Sequence, residues 1–228
     1  MSILVIAAHP DDEVLGCGAS IKKWALAGRR VDIVIMAEGA TARDSSRNRS
    51  ERSGEIVNLR NAAENARGKL GAASVTLLDF PDNRMDSVPL LDVIKPIEDE
   101  ISRRNPQVVM THHAADLNVD HQIVHSAVIT ACRPLPRTTV NRILTFEVPS
   151  ATGWGDADSA SSFHPNWYED VSETIAAKLA ALREYHEEMR PWPHARSYEA
   201  IEHLARWRGA SVGLEACEAF KLFRQVDR

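Results

Sequence analysis

Short apolar runs alternating with stretches of helical spacing, and a first run that ends in acids rather than glycines, predict an α/β protein. The expected architecture is a Rossmann-like, mostly parallel sheet with helices on both faces, in a single domain over residues 1–228. That length suffices for one sizeable core. Apolar residues make up 44% of the chain and charged residues 26%, the balance of an ordinary soluble globular protein. A net charge of −5 argues against binding nucleic acid through a general basic surface.

The run ILVIAA at 3–8 is a short buried strand, and residues 13–28 follow with helical spacing, Val14, Leu15, Ile21, Trp24 and Ala25 facing inward and Gly28 as the stop. VDIVIMA at 31–37 is a second strand. The polar, aperiodic stretch 40–52 reads as a loop leading into a helix over about 52–69 that stops near Gly71. SVTLLDF at 74–80 is a third strand, 81–89 a loop with turn chemistry, 90–104 a helix and 106–113 a fourth strand. A helix over 120–133, ended by Pro134 and Pro136, precedes a fifth strand at 141–149. Residues 150–166, rich in Gly, Ser and Asp, read as a long surface loop. Residues 171–189 and 197–208 read as helices, and EAFKLFRQV at the end as a strand or short helix. No apolar stretch approaches the roughly 20 residues of a membrane span. The chain shows no secretory pattern at its start, and Cys17, Cys132 and Cys217 form neither a zinc pattern nor a disulfide framework, so a cytoplasmic protein is expected.

In a parallel sheet, ligands bind at the carboxyl ends of strands. The first strand ends in His9-Pro10-Asp11-Asp12-Glu13, where a dinucleotide-binding protein would carry G-x-G-x-x-G. Acids there would repel phosphate, whereas imidazole beside carboxylates suits a divalent metal. Helix capping accounts for one or two of the acids but not for His9. The fourth strand ends in a second cluster, THHAADLNVDHQIVH, with His112, His113, Asp116, Asp120, His121 and His125. His125, one turn after His121 on an apolar helix, reads as a core or interface histidine. Two such clusters at two strand tips exceed what capping explains.

AAHPDDEVLGCGA, together with the later D-x-N-x-D-H, resembles the PIG-L/LmbE-like zinc N-deacetylases, which remove acetyl groups from N-acetylglucosamine units. The likeness continues through FPDNRMD (80–86), FHPNWYEDVSETIAAK (163–178) and EMRPWPHARS (188–197). It implies one zinc ion held by His9, Asp12 and His121, with Asp11 as the general base on a polarised water. It further implies that Asp120 orients a ligand, that Asp82 holds sugar hydroxyls, and that Arg60 lies near a substrate-contacting position. Many members carry His three residues before the last ligand, where this chain has Asn118. Asparagine can donate to an oxyanion but cannot deliver a proton. The leaving amine would then take its proton from Asp11 or from His194, with His112 and His113 as further candidates.

The expected substrate is a small molecule or glycan bearing an N-acetyl sugar, and a homo-oligomer is compatible with the sequence. The competing readings are a metal-dependent hydrolase of another bond and a non-catalytic sugar-binding relative. Arg43, Arg47, Arg49 and Arg52 lie near the predicted rim, either as a solvated loop or as an attraction for an anionic substrate.

Overall fold

The computed structural model describes residues 1–136, 138–155 and 162–227. The strands are β1 (Ser2–Ala7), β2 (Arg30–Ala37), β3 (Ser74–Phe80), β4 (Val108–His112), β5 (Arg142–Phe146), β6 (Trp167–Asp170) and β7 (Cys217–Gln225). The helices are α1 (Asp12–Leu26), α2 (Ser53–Leu70), α3 (Leu90–Arg104), α4 (Val119–Ala131), α5 (Ile175–Leu182) and α6 (Tyr198–Ala210). All strands join one sheet in the order β3-β2-β1-β4-β5-β7-β6. The five from β3 to β5 run parallel, and β7 lies antiparallel to both β5 and β6. The predicted α/β class and mostly parallel sheet are therefore what the chain forms.

The central strands are mostly apolar because both faces are covered. Ile3 and Val5 of β1 point into a core with Trp24, Leu59, Leu182 and Ile201. Leu4 and Ile6 point into a second core with Val93, Ile97, Val124 and Val128. Helices α1, α2, α5 and α6 thus cover one face and α3 and α4 the other. Strand order reverses between β1 and β4, where Val5 pairs with Met110. Such a switch point leaves a crevice at the carboxyl ends of the two strands, since the loops leaving them part to opposite faces.

Helix α1 carries a break. Cys17 has φ −150°, ψ 22°, outside the helical region. The groups freed there are satisfied from elsewhere in the chain: Glu218 of β7 accepts from the amides of Ala19 (3.1 Å) and Ser20 (2.7 Å). Lys178 of α5 donates to the Leu15 carbonyl (2.8 Å) and to Glu218 (2.6 Å). Gly16 is required by close packing, since a Cβ there would lie 2.3 Å from Phe146 Cδ2.

Two expectations change. The helix expected over 171–189 is shorter, spanning Ile175–Leu182 before a 3₁₀ turn at Arg183–Tyr185, and β6 precedes it. A four-residue edge strand is too short for its alternation to register in sequence. Asp170 ends it by accepting from the amide and hydroxyl of Ser172 at 3.0 and 2.6 Å. The loop expected over 150–166 contains Thr152–Trp154 as a 3₁₀ turn, and its stretch 156–161 lies outside the described residues. No helix among the described residues is long and apolar enough to cross a membrane.

Gly16→Ala should destabilise the fold by about 1–3 kcal/mol, the usual range for overpacking a tight core. Urea unfolding measures this; an unchanged midpoint would mean that Phe146 moves aside freely.

Candidate metal centre and active site

Both sequence clusters arrive in the crevice between β1 and β4. The amide of Ala8 donates to His112 Nε2 at 2.8 Å, tying the two strand ends together. The chain then turns sharply. Asp11 adopts φ 109°, a region that residues other than glycine rarely enter. Glu13 holds this turn by accepting from the Asp11 amide (3.1 Å), and Tyr185 donates its hydroxyl to the same carboxylate (2.7 Å). On the other strand, Asn118 caps α4, its side-chain oxygen accepting from the amides of Asp120 (2.9 Å) and His121 (3.4 Å).

These turns bring three donor atoms face to face. Asp12 Oδ2 lies 3.2 Å from His9 Nδ1 and 3.0 Å from His121 Nε2, and the two ring nitrogens are 3.2 Å apart. Ligand atoms around a tetrahedral zinc ion at ~2.1 Å sit roughly 3.4 Å from one another, so the set fits a divalent ion. Two imidazole lone pairs cannot face each other at this distance without a proton or cation between them. Asp12 Oδ1 and Asp11 Oδ1 are also buried without a hydrogen-bond partner among the described residues. With only protons to fill the gap, burial opposes charge on His9, but hydrogen bonds to Asp12 and Asp120 hold its pKa well above the usual imidazole value. Burial likewise works against ionised Asp12, yet the neighbouring His121 and His112 hold its carboxyl well below the usual range.

The outward nitrogens of both candidate ligands are tied to carboxylates. His9 Nε2 meets Asp120 Oδ2 at 3.1 Å, and His121 Nδ1 meets Asp116 Oδ2 at 3.2 Å. Such pairs fix the tautomer and ring orientation of a metal-binding histidine. Asp120 is held in turn by the amides of Asn83 (2.7 Å) and Met85 (3.0 Å), and Asp116 by Thr152 Oγ1 (2.6 Å). Asp120 thus lies against the candidate ligand His9, and Asp116 against the candidate ligand His121.

Of the three, His9 lines a pocket whose other walls include Asp11, Asp82, Asn83, Asn118, Glu188 and Arg196. Asp82 is 3.4 Å from His9 Nε2, its other oxygen accepting from the Ala42 amide at 3.1 Å. Arg196 was not singled out in the sequence, yet its Nη1 pairs with Asp11 Oδ2 at 2.9 Å and its Nε donates to Ser150 at 2.7 Å. Burial pushes the Asp11 carboxyl well above the usual range, with Arg196 opposing that shift.

Other candidates lie apart from this pocket. Arg60 is exposed on α2 and does not line it. His194 lines an adjoining groove, its Nδ1 accepting from the Arg196 amide at 3.0 Å. His112 is fully buried and its Nε2 already accepts from Ala8; burial, then the charge of His121, holds its pKa well below the usual value. His113 packs against Phe163, and His125 donates to the His112 carbonyl at 2.8 Å, the core role expected of it. The rim arginines are engaged by carboxylates: Arg47 by Glu38, Arg49 by Asp79, Arg52 by Asp44 and Glu55, and Arg43 by Glu188. Of these four only Arg43 lines the pocket, so the charge expected at the rim is largely compensated within the protein.

Fold and site together define a doubly wound α/β protein with a two-histidine, one-aspartate cradle for a divalent ion at the carboxyl edge of its sheet. The chain belongs to the PIG-L family, described as GlcNAc-PI de-N-acetylase, whose match spans residues 4–132. Among curated proteins, it is 36% identical over 189 residues to the uncharacterized deacetylase YaiS of Escherichia coli K12, covering 80% of this chain and 89% of that one. It is 26% identical over 192 residues to the diacetylchitobiose deacetylase of Thermococcus kodakarensis, covering 79% and 67%. The structure of N,N'-diacetylchitobiose deacetylase from Pyrococcus horikoshii shares the fold, with a TM-score of 0.76 at 21% identity over 98% of this chain and 84% of that one. So does GalB, the 4-carboxy-2-hydroxymuconate hydratase of Pseudomonas putida, with a TM-score of 0.74 at 20% identity over 100% and 98%.

Asn118 acts on the site through the cap of α4, since its oxygen holds the amide of His121 and its amide group donates to Asn83 Oδ1 at 2.7 Å. Asn118→Ala should lower the unfolding free energy by about 1 kcal/mol, whereas Asn118→Ser, which keeps a capping oxygen, should lose only a fraction of that. Equal losses in chemical denaturation would show that the cap contributes nothing measurable.

Proposed function

We propose that this protein is a zinc-dependent hydrolase that removes the acetyl group from an N-acetylated amino sugar of the N-acetylglucosamine type. The observation that carries this reading is the convergence of His9, Asp12 and His121 on one point, with Asp11 beside them in the pocket wall. The described residues lining that pocket include no Ser, Thr, Cys or Lys, which favours water as the nucleophile. The family description and the deacetylase relatives support the N-acetyl sugar. The three buried, unpaired cysteines support a cytoplasmic setting.

His9, Asp12 and His121 would hold the ion, three protein ligands being the number typical of a catalytic site. When bound, zinc supplies Lewis acidity toward water and the acetyl carbonyl. Asp11 is the general base: Arg196 anchors its Oδ2, and Oδ1, without a partner among the described residues, is left to accept the proton of the attacking water. Arg196 brings positive charge to the pocket wall, where negative charge grows on the carbonyl oxygen. Asp11 then returns the proton to the departing nitrogen, which avoids any need for a histidine at position 118. Asp82 accepts from sugar hydroxyls at the pocket edge, while Asp120 and Asp116 keep the two imidazoles aimed.

Purified holoprotein should release acetate from N-acetylglucosamine derivatives and lose this activity on chelation. His9→Ala and His121→Ala should abolish stoichiometric zinc while leaving a folded protein, since His9 follows the end of β1, His121 sits in the first turn of α4, and neither belongs to the two apolar cores. Full metal occupancy in either variant would remove that residue from the ligand set. Asp11→Asn should keep zinc and lose about 10²–10⁴-fold in kcat, the usual worth of general-base assistance. Absence of acetate release across N-acetyl sugars would favour another hydrolytic substrate or a non-catalytic relative.

A further inference from the structure

The proposed general base stands on an unusual piece of backbone. Asp11 occupies the N-cap position of α1, yet its side chain caps nothing. An aspartate there ordinarily takes an extended backbone and accepts from the amides of the first turn. At φ 109° Asp11 instead lines the metal pocket, with Oδ2 on Arg196 and Oδ1 without a partner among the described residues. A residue with a Cβ keeps such a backbone only where its surroundings enforce it. Arg196 holds the carboxylate end. The backbone end is held by Glu13, whose Oε2 accepts from the Asp11 amide at 3.1 Å. Glu13 is itself 1% exposed, so its other oxygen has to be satisfied inside the protein. Tyr185 does this, its hydroxyl donating to Oε1 at 2.7 Å. The Tyr185 ring is buried in the core that contains Leu59 and Leu182, so packing fixes where the hydroxyl points. Asp11 and Glu13 lie inside the family match at 4–132, whereas Tyr185 lies outside it, on the 3₁₀ turn after α5.

We infer that Tyr185 is a positioning residue for Asp11, acting through Glu13. This rests on the reading of Asp11 as the general base. Tyr185 does not line the metal pocket, so its hydroxyl reaches the chemistry only through Glu13 and the turn. With the hydroxyl gone, a buried Glu13 oxygen loses its donor. The carboxylate then turns in search of another, and the Asp11 amide loses its acceptor. Asp11 relaxes toward an ordinary N-cap backbone, which carries Oδ1 away from the attacking water. A misplacement of about 1 Å at a reacting group can cost about a hundredfold in rate.

The test uses zinc-loaded protein with N-acetylglucosamine and its β-1,4-linked dimer as probes. Tyr185→Phe keeps the ring and removes the donor. It should lower kcat for acetate release by about ten- to a hundredfold, with KM changed less than about twofold and zinc content unchanged. In a Glu13→Ala background the same substitution should cost almost nothing further, because the link it works through is already cut. The Tyr185→Phe/Glu13→Gln double variant should recover much of the lost kcat, since a neutral amide oxygen still accepts from Asp11 and its group costs less to bury without the phenol. Hydrogen exchange of the Asp11 amide, followed by NMR, should quicken at least about tenfold in Tyr185→Phe while the amides of β1 keep their protection. The inference is overturned if Tyr185→Phe turns over like the wild type, or if it costs as much in the Glu13→Ala background as alone. A fall in kcat that tracks lost zinc would also overturn it, since Tyr185 would then support the ligands and not the base. If the wild type releases no acetate from either probe, it is the N-deacetylase reading that fails, and amide exchange decides alone: an unchanged rate at Asp11 in Tyr185→Phe overturns the positioning role.

Discussion

The structure depends on one topological constraint: β1 and β4 are neighbours in the sheet, yet the chain leaves them toward opposite faces. At that point the backbone must open, and any side chains just past the two strand ends are forced to converge. His9, Asp11 and Asp12 follow β1, and His121 follows β4 after a short loop and the first turn of α4. Residues more than a hundred positions apart therefore meet at 3.0–3.2 Å. The rigidity of the site derives from the paired strands beneath it, held by ladder hydrogen bonds and by the Ala8–His112 contact.

Placing so many ionisable groups together is energetically adverse unless each finds a partner. Asp11, Asp12, Glu13, Asp116 and Asp120 are all buried. Asp120 takes two amides and an imidazole, Glu13 an amide and a phenol, and Asp116 an amide, a hydroxyl and an imidazole. Among these five carboxylates, the oxygens left without a hydrogen-bond partner among the described residues are Asp12 Oδ1 and Asp11 Oδ1. Behind them His112 stacks on His121 at 3.8 Å between centroids, and Phe146 backs His112 while resting against Gly16. One packing column thus runs from the helix after β1 to the histidine after β4, so the core that folds the protein also positions the candidate ligand His121.

Much of this was legible in the sequence because it is local. Strand runs, the acids after β1 and the cluster after β4 each occupy a short window, and the α/β alternation says that both clusters share a sheet edge. What was not legible is long-range. Arg196 reaches Asp11 across 185 positions, and nothing around it distinguishes it from other surface arginines. Tyr185 lies in a stretch that reads as ordinary helix, yet its hydroxyl supports the strained turn at Asp11 through Glu13. The break at Cys17 makes sense only once Lys178 and Glu218 are seen to complete the helix from other elements. The rim arginines illustrate the converse: their charge was visible, but their carboxylate partners were not, so the sequence left open whether they form a solvated loop or attract an anion.

The division of labour along the chain follows from the same geometry. The family match, residues 4–132, contains all three candidate ligands and the carboxylates that orient them. The side chains that complete the walls come later: Ser150, Trp154, Glu188, Arg190 and Arg196. Segment 4–132 supplies the parallel strands and hence the fixed point where a cation would sit. The later part crosses the open side of the crevice and decides what shape of molecule can approach that point. Because Arg196 belongs to the later part but pairs with Asp11, the proposed general base, the two halves are not independent. A change in the walls that shifts Arg196 will also move Asp11, so on the proposed reading substrate choice and catalysis are coupled through a single ion pair of 2.9 Å.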